Sequence, residues 1–232
     1  MRNNIKIIGF DADDTLWVNE PLFRDTEKKF CTILKSFADE ETVNKELFRI
    51  EMQNLEIYGY GVKGFMLCMI ETAYSVSKHK IPATLVEEII KLGKSLLNEP
   101  VVLLDNVEKV LQNLSQSYKL IVATKGDLLD QERKLRKSGL GKYFHHVEIM
   151  SDKTVKEYSG MLHHLDINAP NFVMIGNSLK SDILPVLELG GYAIHIPYHT
   201  TWVHEHVDEP IEHTKFRSVQ DILELETIFN YV

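Results

Sequence analysis

Hydrophobic positions follow three successive patterns along this chain. The first is a short apolar run from Ile5 to Phe10, interrupted only by Lys6. Such a run, bounded by a turn, predicts a buried strand of a parallel sheet. From Glu20 to about Asn98, hydrophobic residues instead recur at helical spacing in four stripes, with no strand pattern between them. This second pattern predicts a small bundle of four helices inserted after the first strand.

The third pattern begins after Pro100, where short apolar runs alternate with helical stripes. The four further predicted strands cover 120–123, 146–150, 172–175 and 192–196. The helices predicted in this part cover 107–114, 128–138, 183–189 and 219–229, and Thr154 and Glu157 form a capping box that opens one more helix after the third strand. This alternation predicts an α/β fold with a doubly wound parallel sheet, Rossmann-like and five-stranded. We expect residues 1–18 and 99–232 to form that core and residues 19–98 to form an all-helical domain.

Composition narrows the class of protein. The 232 residues carry a formal net charge of −8, which argues against a nucleic-acid or anionic-membrane partner. No apolar run approaches the length that spans a bilayer, and the N-terminal run is too short for a signal peptide. Cys31 and Cys68 lack metal-type spacing and suit a reducing compartment. We therefore expect a cytoplasmic enzyme or binding protein, with the oligomeric state left open.

Acidic residues follow the first predicted strand directly, in the sequence Asp11-Ala12-Asp13-Asp14-Thr15. In open α/β sheets, ligands bind just beyond the carboxyl ends of the strands. Residues i and i+2 of a strand point to the same side, so Asp11 and Asp13 can face one bound group. The alternative is an acidic surface turn, since Asp is common in turns.

Polar residues also follow three of the later predicted strands. Thr124 follows the second strand, Lys153 the third, and Asn177 and Asp182 the fourth. A single polar strand end is a weak signal. Polar residues after four parallel strands form a far more specific pattern, because the carboxyl ends of such strands meet at one edge of the sheet.

With these residues in this order, the chain resembles the haloacid dehalogenase superfamily of phosphotransferases and phosphatases. The family motif D-x-D-x-T is present at residues 11–15, whereas the matches at Thr124 and Lys153 are single residues. The resemblance runs almost end to end. It implies a five-stranded parallel core, a helical cap inserted between the first two motifs, and an active site between core and cap.

The resemblance and the chemistry of phosphate esters assign the same roles. Asp11 is expected to be the nucleophile that forms an aspartyl-phosphate, which divides one difficult step into two easier ones. Asp13 is expected to act as general acid and base, with its proton favoured by neighbouring carboxylates. Lys153 would supply a fixed positive charge and Thr124 a hydroxyl donor to the transferring phosphoryl group.

A magnesium ion is the expected cofactor, because hard oxygen ligands suit it. Asp11, the backbone carbonyl of Asp13, and Asp182 are its candidate ligands, with Asn177 beside them. The family's fourth motif usually places an acidic residue at the position of Asn177. An amide oxygen can bind Mg²⁺ but carries no charge, so we expect weaker metal binding.

The loop Gly59–Gly64 formally matches the dinucleotide motif G-x-G-x-x-G. A predicted helix precedes it instead of a strand, so we reject nucleotide binding. Tyr60 and Lys63 in this loop are candidates for substrate binding, with a simple turn as an equal alternative. Lys125, directly after Thr124, is a third candidate, with an exposed turn lysine as the alternative.

Histidines are concentrated near the end of the chain, and their role over residues 195–213 is left open. The residues concerned are His195, His199, His204 and His206, with Glu205 between the last two. A zinc site needs ligands at a defined spacing on rigid elements, which this stretch does not offer.

The sequence therefore predicts a Mg²⁺-dependent phosphatase for a small phosphorylated metabolite. A phosphomutase of the same superfamily remains open, because it retains both Asp11 and Asp13. From other classes, a phosphoacceptor module of the receiver type or a binding protein without turnover would use the same residue types. A haloacid dehalogenase is disfavoured because its chemistry has no use for Asp13 as an acid. The identity of the substrate is not encoded in any motif.

Overall fold

A computed structural model describes residues 4–229 of the chain. It divides into two compact units. The first comprises Met1–Glu20, Val101–Lys125 and Gln131–Val232, and the second comprises Pro21–Pro100 and Gly126–Asp130. Each unit has its own hydrophobic core.

The first unit contains one parallel sheet, in the strand order β3-β2-β1-β4-β5-β6. Its strands are β1 (Ile7–Phe10), β2 (Lys119–Lys125), β3 (His146–Met150), β4 (Phe172–Gly176), β5 (Tyr192–His195) and β6 (Phe216–Ser218). β1 pairs with β2 on one side and with β4 on the other, in registers that place Phe10 beside Val122 and Ile175. The three central strands therefore end side by side at the same edge of the sheet.

Helices cover both faces of this sheet, which explains why its central strands are almost entirely apolar. The helices are α5 (Val107–Leu114), α6 (Leu128–Ser138), α7 (Val155–His164), α8 (Leu184–Glu188) and α9 (Glu224–Ile228). On one face, Ile8, Phe10 and Val122 share a core with α5 and α9. On the other, Ile7, Ile121 and Ala123 share a core with α7 and α8.

The prediction of five strands was wrong: the sheet has six among residues 4–229. The missed strand, β6, has three residues, none of them buried, so it carries no apolar run. This strand can be recognised only from the three-dimensional structure, in which it pairs in parallel with β5 at the edge of the sheet. The helix predicted over 219–229 is correspondingly shorter. Val219 still donates its backbone N–H to the carbonyl of His195 at 2.9 Å, and regular helix begins only at Glu224.

The second unit contains the four predicted helices, α1 (Glu20–Leu34), α2 (Glu40–Tyr58), α3 (Val62–Val76) and α4 (Ala83–Asn98). Their apolar stripes form one core, which includes Phe30, Leu47, Met69 and Ile89. Asp39 caps α2 by accepting a hydrogen bond from the Thr42 N–H at 2.8 Å. Within residues 4–229, none of the helices is both long enough and apolar enough to cross a membrane.

Candidate active site

Asp11 lies where β1 ends, and its surroundings are built by the neighbouring strands. Its N–H donates to the carbonyl of Ile175 at 2.8 Å, which extends the pairing of β1 with β4 by one residue. Its buried carboxylate contacts the Nζ of Lys153 and accepts a hydrogen bond from the Thr15 hydroxyl at 3.0 Å. The Asp11 carboxylate therefore contacts a cation and a hydroxyl, at the edge where α/β sheets bind ligands.

Lys153 joins two buried carboxylates. Its Nζ lies 2.6 Å from Asp182 Oδ1 while also contacting Asp11, and all three side chains are at least nine-tenths buried. Lys156, the lysine three residues further along the chain, is exposed. The structure thus brings together residues that follow the first, third and fourth predicted strands, which are far apart in the chain.

The group formed by Asp11, Lys153 and Asp182 contains two acids and one base. Burial raises the pKa of Asp11 to about 7, an effect that Lys153 opposes and Asp182 reinforces. Burial alone would lower the pKa of Lys153, but Asp11 and Asp182 outweigh it and hold that pKa well above its usual value. With both carboxylates ionised, one ammonium leaves a net charge of −1. The group therefore favours a further positive charge close to Asp11.

The loop after β4 holds Asp182 and Asn177 in place. Asp182 lies in one turn of π-helix, Leu179–Ile183, and its Oδ2 accepts the Ser178 N–H at 3.0 Å. A Cβ at Gly176 would lie 2.7 Å from the Cβ of Asp182 and closer still to that oxygen, so the carboxylate packs where only glycine leaves room. Asn177 Oδ1 accepts the Thr15 hydroxyl at 3.3 Å, which places the amide oxygen beside the Asp11 group.

Asp13 has a different environment from the one expected. Its carboxylate accepts hydrogen bonds from Trp17 Nε1 at 2.7 Å, Gln131 Nε2 at 2.8 Å and Lys134 Nζ at 2.9 Å. Burial raises the pKa of Asp13, but the Lys134 charge and these three donors outweigh burial and lower it. The expectation that neighbouring carboxylates would favour a proton on Asp13 was therefore wrong for this structure, in which Asp13 is ionised.

The sequence reasoning did not identify Trp17, Gln131 and Lys134. Gln131 and Lys134 are three residues apart on α6, the helix that follows β2, so they share one face of that helix. Two polar residues on one face of the helix that follows β2 are the one signal that could have drawn attention to Gln131 and Lys134.

Asp14 supports the loop that leaves β1. Its φ of 62° lies in the left-handed region, which Asp tolerates better than most residues. Its carboxylate accepts the backbone N–H groups of Asn19 at 2.8 Å and Glu20 at 2.9 Å. Glu20 begins α1, so Asp14 holds the chain at the start of this helix.

Thr124 and Lys125 end β2. The buried hydroxyl of Thr124 lies 3.5 Å from the carbonyl oxygen of Lys125, so it does not belong to the hydrogen-bonded group around Asp11. Lys125 Nζ donates to the Ser181 hydroxyl at 2.9 Å, contacts Glu205, and lies 4.0 Å from Asp152. The lysine is mostly buried and paired, so it is not an exposed turn residue.

Glu205 is a second residue that the sequence reasoning did not identify. It lies on a single 3-10 turn, Val203–Glu205, and accepts hydrogen bonds from the Ser181 hydroxyl at 2.6 Å, from the Ser178 hydroxyl and from Lys125. Burial raises the pKa of Glu205, but Lys125 and the two hydroxyls outweigh it and lower that pKa to about 2. Glu205 is therefore a largely buried anion held by three donors.

The two other residues predicted to bind substrate lie in the helical unit. Lys63, at the start of α3, is half exposed and pairs with Asp127 at 3.0 Å, within the same unit. Tyr60 is half-buried in the short link between α2 and α3. Gly61 in this link has a φ of 104°, which suits glycine, and it precedes α3 directly.

The oxygen atoms around Asp11 suit a hard divalent cation. Two buried carboxylates, Asp11 and Asp182, and the amide oxygen of Asn177 meet there, and the group is negative when both carboxylates are ionised. Among residues 4–229, no three His, Cys, Asp or Glu side chains cluster closely enough to hold a metal alone. A cation at this position would therefore depend on amide, backbone and water oxygens besides the two carboxylates.

Comparison with known proteins gives matches over nearly the whole chain. A family model described as haloacid dehalogenase-like hydrolase matches residues 5–190. The N-acylneuraminate-9-phosphatase of Mus musculus is 26% identical over 248 residues, which cover 99% of this chain and 96% of that protein.

Solved structures agree with this match. A haloacid dehalogenase-like family hydrolase from Xanthomonas campestris is 37% identical, with a TM-score of 0.87, and the match covers 98% of this chain and 91% of that one. An L-2-haloacid dehalogenase from Xanthobacter autotrophicus has a TM-score of 0.67 over 98% of this chain and 99% of its own, at 11% identity. This second likeness concerns the fold alone.

Proposed function

Because this chain belongs to the haloacid dehalogenase-like hydrolase family, we propose that it is a Mg²⁺-dependent phosphatase acting on a small phosphorylated metabolite. The observation that carries the proposal is the buried group in which Lys153 joins Asp11 and Asp182, with Asp13 two residues after Asp11. The phosphatase among its relatives supports the choice of substrate class, since that protein is aligned over nearly its full length.

In the proposed first step, an Asp11 carboxylate oxygen attacks phosphorus and the bond to the leaving oxygen breaks. The leaving oxygen takes a proton from Asp13, and the product is an aspartyl-phosphate. In the second step a water oxygen attacks that phosphorus, the bond to Asp11 breaks, and the water proton passes to Asp13. Lys153 supplies positive charge beside Asp11 in both steps.

The ionised state of Asp13 suits the second step, in which it accepts a proton. For the first step Asp13 must carry a proton, which requires a weaker contact with Lys134 than the 2.9 Å ion pair seen here. We therefore propose that substrate binding loosens this pair before the leaving group is protonated.

Asp11, Asp182, Asn177 and the backbone carbonyl of Asp13 would hold the magnesium ion. When bound, Mg²⁺ neutralises negative charge on the phosphoryl oxygens and on Asp11. The charge of −1 that Lys153 and the two carboxylates carry when both acids are ionised supports this assignment. A divalent cation changes the sum to +1, which complements a phosphate dianion.

The rest of the proposal concerns the helical region and the cell compartment. We propose that residues 19–98 act as the cap domain of a core formed by 1–18 and 99–232, with Tyr60 and Lys63 as substrate-binding residues. Cys31 and Cys68 are both free and buried, which supports a reducing compartment such as the cytoplasm.

The test is a screen of phosphorylated metabolites for phosphate release, with and without Mg²⁺. We expect release from at least one small phosphomonoester, loss of release with a chelator, and loss in Asp11→Asn. Asp105→Asn, which changes an exposed aspartate of the same unit, is the matched control and should stay active. Release that persists in Asp11→Asn would refute the proposal. Exchange between sugar phosphates without net release would indicate a phosphomutase instead.

A further inference from the structure

The donors around Glu205 form a small site for an anion. Lys125 Nζ and the hydroxyls of Ser178 and Ser181 all point to its carboxylate, and both serine side chains are buried. Ser178 and Ser181 lie between Asn177 and Asp182 in the chain, so the donors belong to the same loops as the candidate active site.

The segment that brings Glu205 to these donors is weakly attached to the core. In this segment, residues 197–210, which we call the strap, no residue is fully buried, and Val203 is 64% exposed. Its contacts with the core include those of Glu205 and a hydrogen bond from Lys180 Nζ to the carbonyl of His204 at 2.9 Å. Segments with few buried apolar contacts open at low free energy, so an anion that replaces Glu205 would release the strap at modest cost.

The sheet places Lys125 on the same face as Asp11. Side chains of a strand point alternately to its two faces. Ile7 faces the core shared with α7, so Asp11, four residues later, lies on that same face. Ile121 and Ala123 face that core as well, and Lys125 is the next residue in their series. If the register that pairs Phe10 with Val122 continues, the Cα atoms of Asp11 and Lys125 lie about 8 Å apart.

We propose that Lys125, Ser178 and Ser181 form a carboxylate subsite, which Glu205 fills when substrate is absent. This inference rests on the proposed phosphatase function and narrows its substrate class to small phosphomonoesters whose leaving group carries a carboxylate. The phosphoryl group lies at Asp11, and the substrate carboxylate replaces that of Glu205 on the same three donors. Glu205 thereby excludes substrates that cannot compete with its carboxylate for Lys125.

Two ligands that differ only in the carboxylate test this inference. 2-Phosphoglycolate carries a carboxylate where 2-hydroxyethyl phosphate carries a hydroxymethyl group. Binding of each is measured by calorimetry with Mg²⁺ present, in proteins that all carry Asp11→Asn so that neither ligand is hydrolysed. Lys125→Met should weaken phosphoglycolate binding by about tenfold to a hundredfold and leave hydroxyethyl phosphate unaffected. Glu205→Gln should tighten phosphoglycolate binding about tenfold, because the competing charge is gone.

Matched controls remove the same charges elsewhere. Lys119→Met changes the exposed lysine at the other end of β2, and Glu209→Gln changes an exposed acid of the strap. Neither should alter the preference between the two ligands. Thermal unfolding of each variant establishes that the fold is intact.

The inference is overturned if Lys125→Met weakens both ligands equally or if Glu205→Gln fails to tighten phosphoglycolate binding. Absence of phosphoglycolate binding to Asp11→Asn, both with and without Glu205→Gln, overturns it as well. Phosphate release is a separate readout: a preference for phosphoglycolate without release of phosphate from any substrate would refute the phosphatase proposal and leave the subsite standing.

Discussion

Lys134 forms a 2.9 Å ion pair with Asp13, the residue proposed to move protons in the reaction. Trp17 and Gln131 also donate to that carboxylate, so its orientation depends on neutral donors as well as on the cation. A proton-transferring group must be held within a narrow range of positions to be effective. Lys134 is therefore a positioning residue that acts through Asp13.

Replacement of Lys134 should reduce the rate of the chemical step. In Lys134→Met we expect kcat to fall about tenfold to a hundredfold with KM changed little, because Asp13 loses the cation that keeps it ionised for the second step and a contact that orients it. Lys134→Arg keeps the charge and should recover part of the rate. Lys137→Met, on the same helix but exposed, serves as control. Wild-type kcat in Lys134→Met would show that Lys134 has no part in positioning Asp13.

Removal of Lys153 should destabilise the whole fold. Lys153→Met leaves Asp11 and Asp182 buried without their shared cation, and breaking a buried ion pair typically costs about 3–5 kcal/mol. Urea unfolding measures this loss. The double variant Lys153→Met with Asp182→Asn removes one of the two uncompensated charges, so it should be more stable than Lys153→Met alone. Exposed Lys156→Met should behave like wild type in unfolding; a comparable loss there would contradict the special role of Lys153.

The fold was largely predictable because β1, β2 and β4 are almost entirely buried. The edge strand β3 and the helices α5 and α6 match their predicted bounds, and β1, β2, β4 and β5 differ from theirs by one to three residues. β6 was missed because its stability depends on pairing with β5 and not on its own apolar content. Apolar residues in the sequence reveal buried strands, and none of the three residues of β6 is buried.

The candidate site was predictable where it depends on strand ends. The parallel sheet gathers the residues after β1, β3 and β4 at one edge, and so brings Asp11, Lys153 and Asp182 into contact. Their catalytic roles stay predictions. Lys134 and Glu205 were not found, because a helix face and an irregular strap supply them. No local pattern shows that Glu205 lies against Lys125, 80 positions away in the chain.

Two glycines should respond to alanine with opposite signs. A Cβ at Gly176 would lie 2.7 Å from the Cβ of Asp182 and closer still to Oδ2, so Gly176→Ala must displace that carboxylate and should cost about 1–3 kcal/mol. At Gly160, in the middle of α7, a Cβ meets no heavy atom within 4 Å. Gly160→Ala should therefore stabilise the protein by about 0.5–1 kcal/mol. Thermal unfolding of the two variants measures both shifts, and a neutral Gly176→Ala would show that Asp182 can move freely.

Glu205 should give the fold a stability that depends on pH. Its pKa falls from the ordinary glutamate value of 4.5 to about 2 in the folded chain, so the unfolded state binds the proton first as the pH drops. The stabilising effect is complete above about pH 4.5 to 5 and is lost as the pH falls toward 2. The difference in unfolding free energy between wild type and Glu205→Gln should therefore be largest near pH 6 and should shrink steadily toward pH 3. Urea unfolding of both proteins at each pH measures it, and Glu209→Gln, which changes an exposed acid, should show little pH-dependent difference from wild type. A difference between wild type and Glu205→Gln that stays constant from pH 6 to pH 3 would mean that the Glu205 charge does not hold the strap.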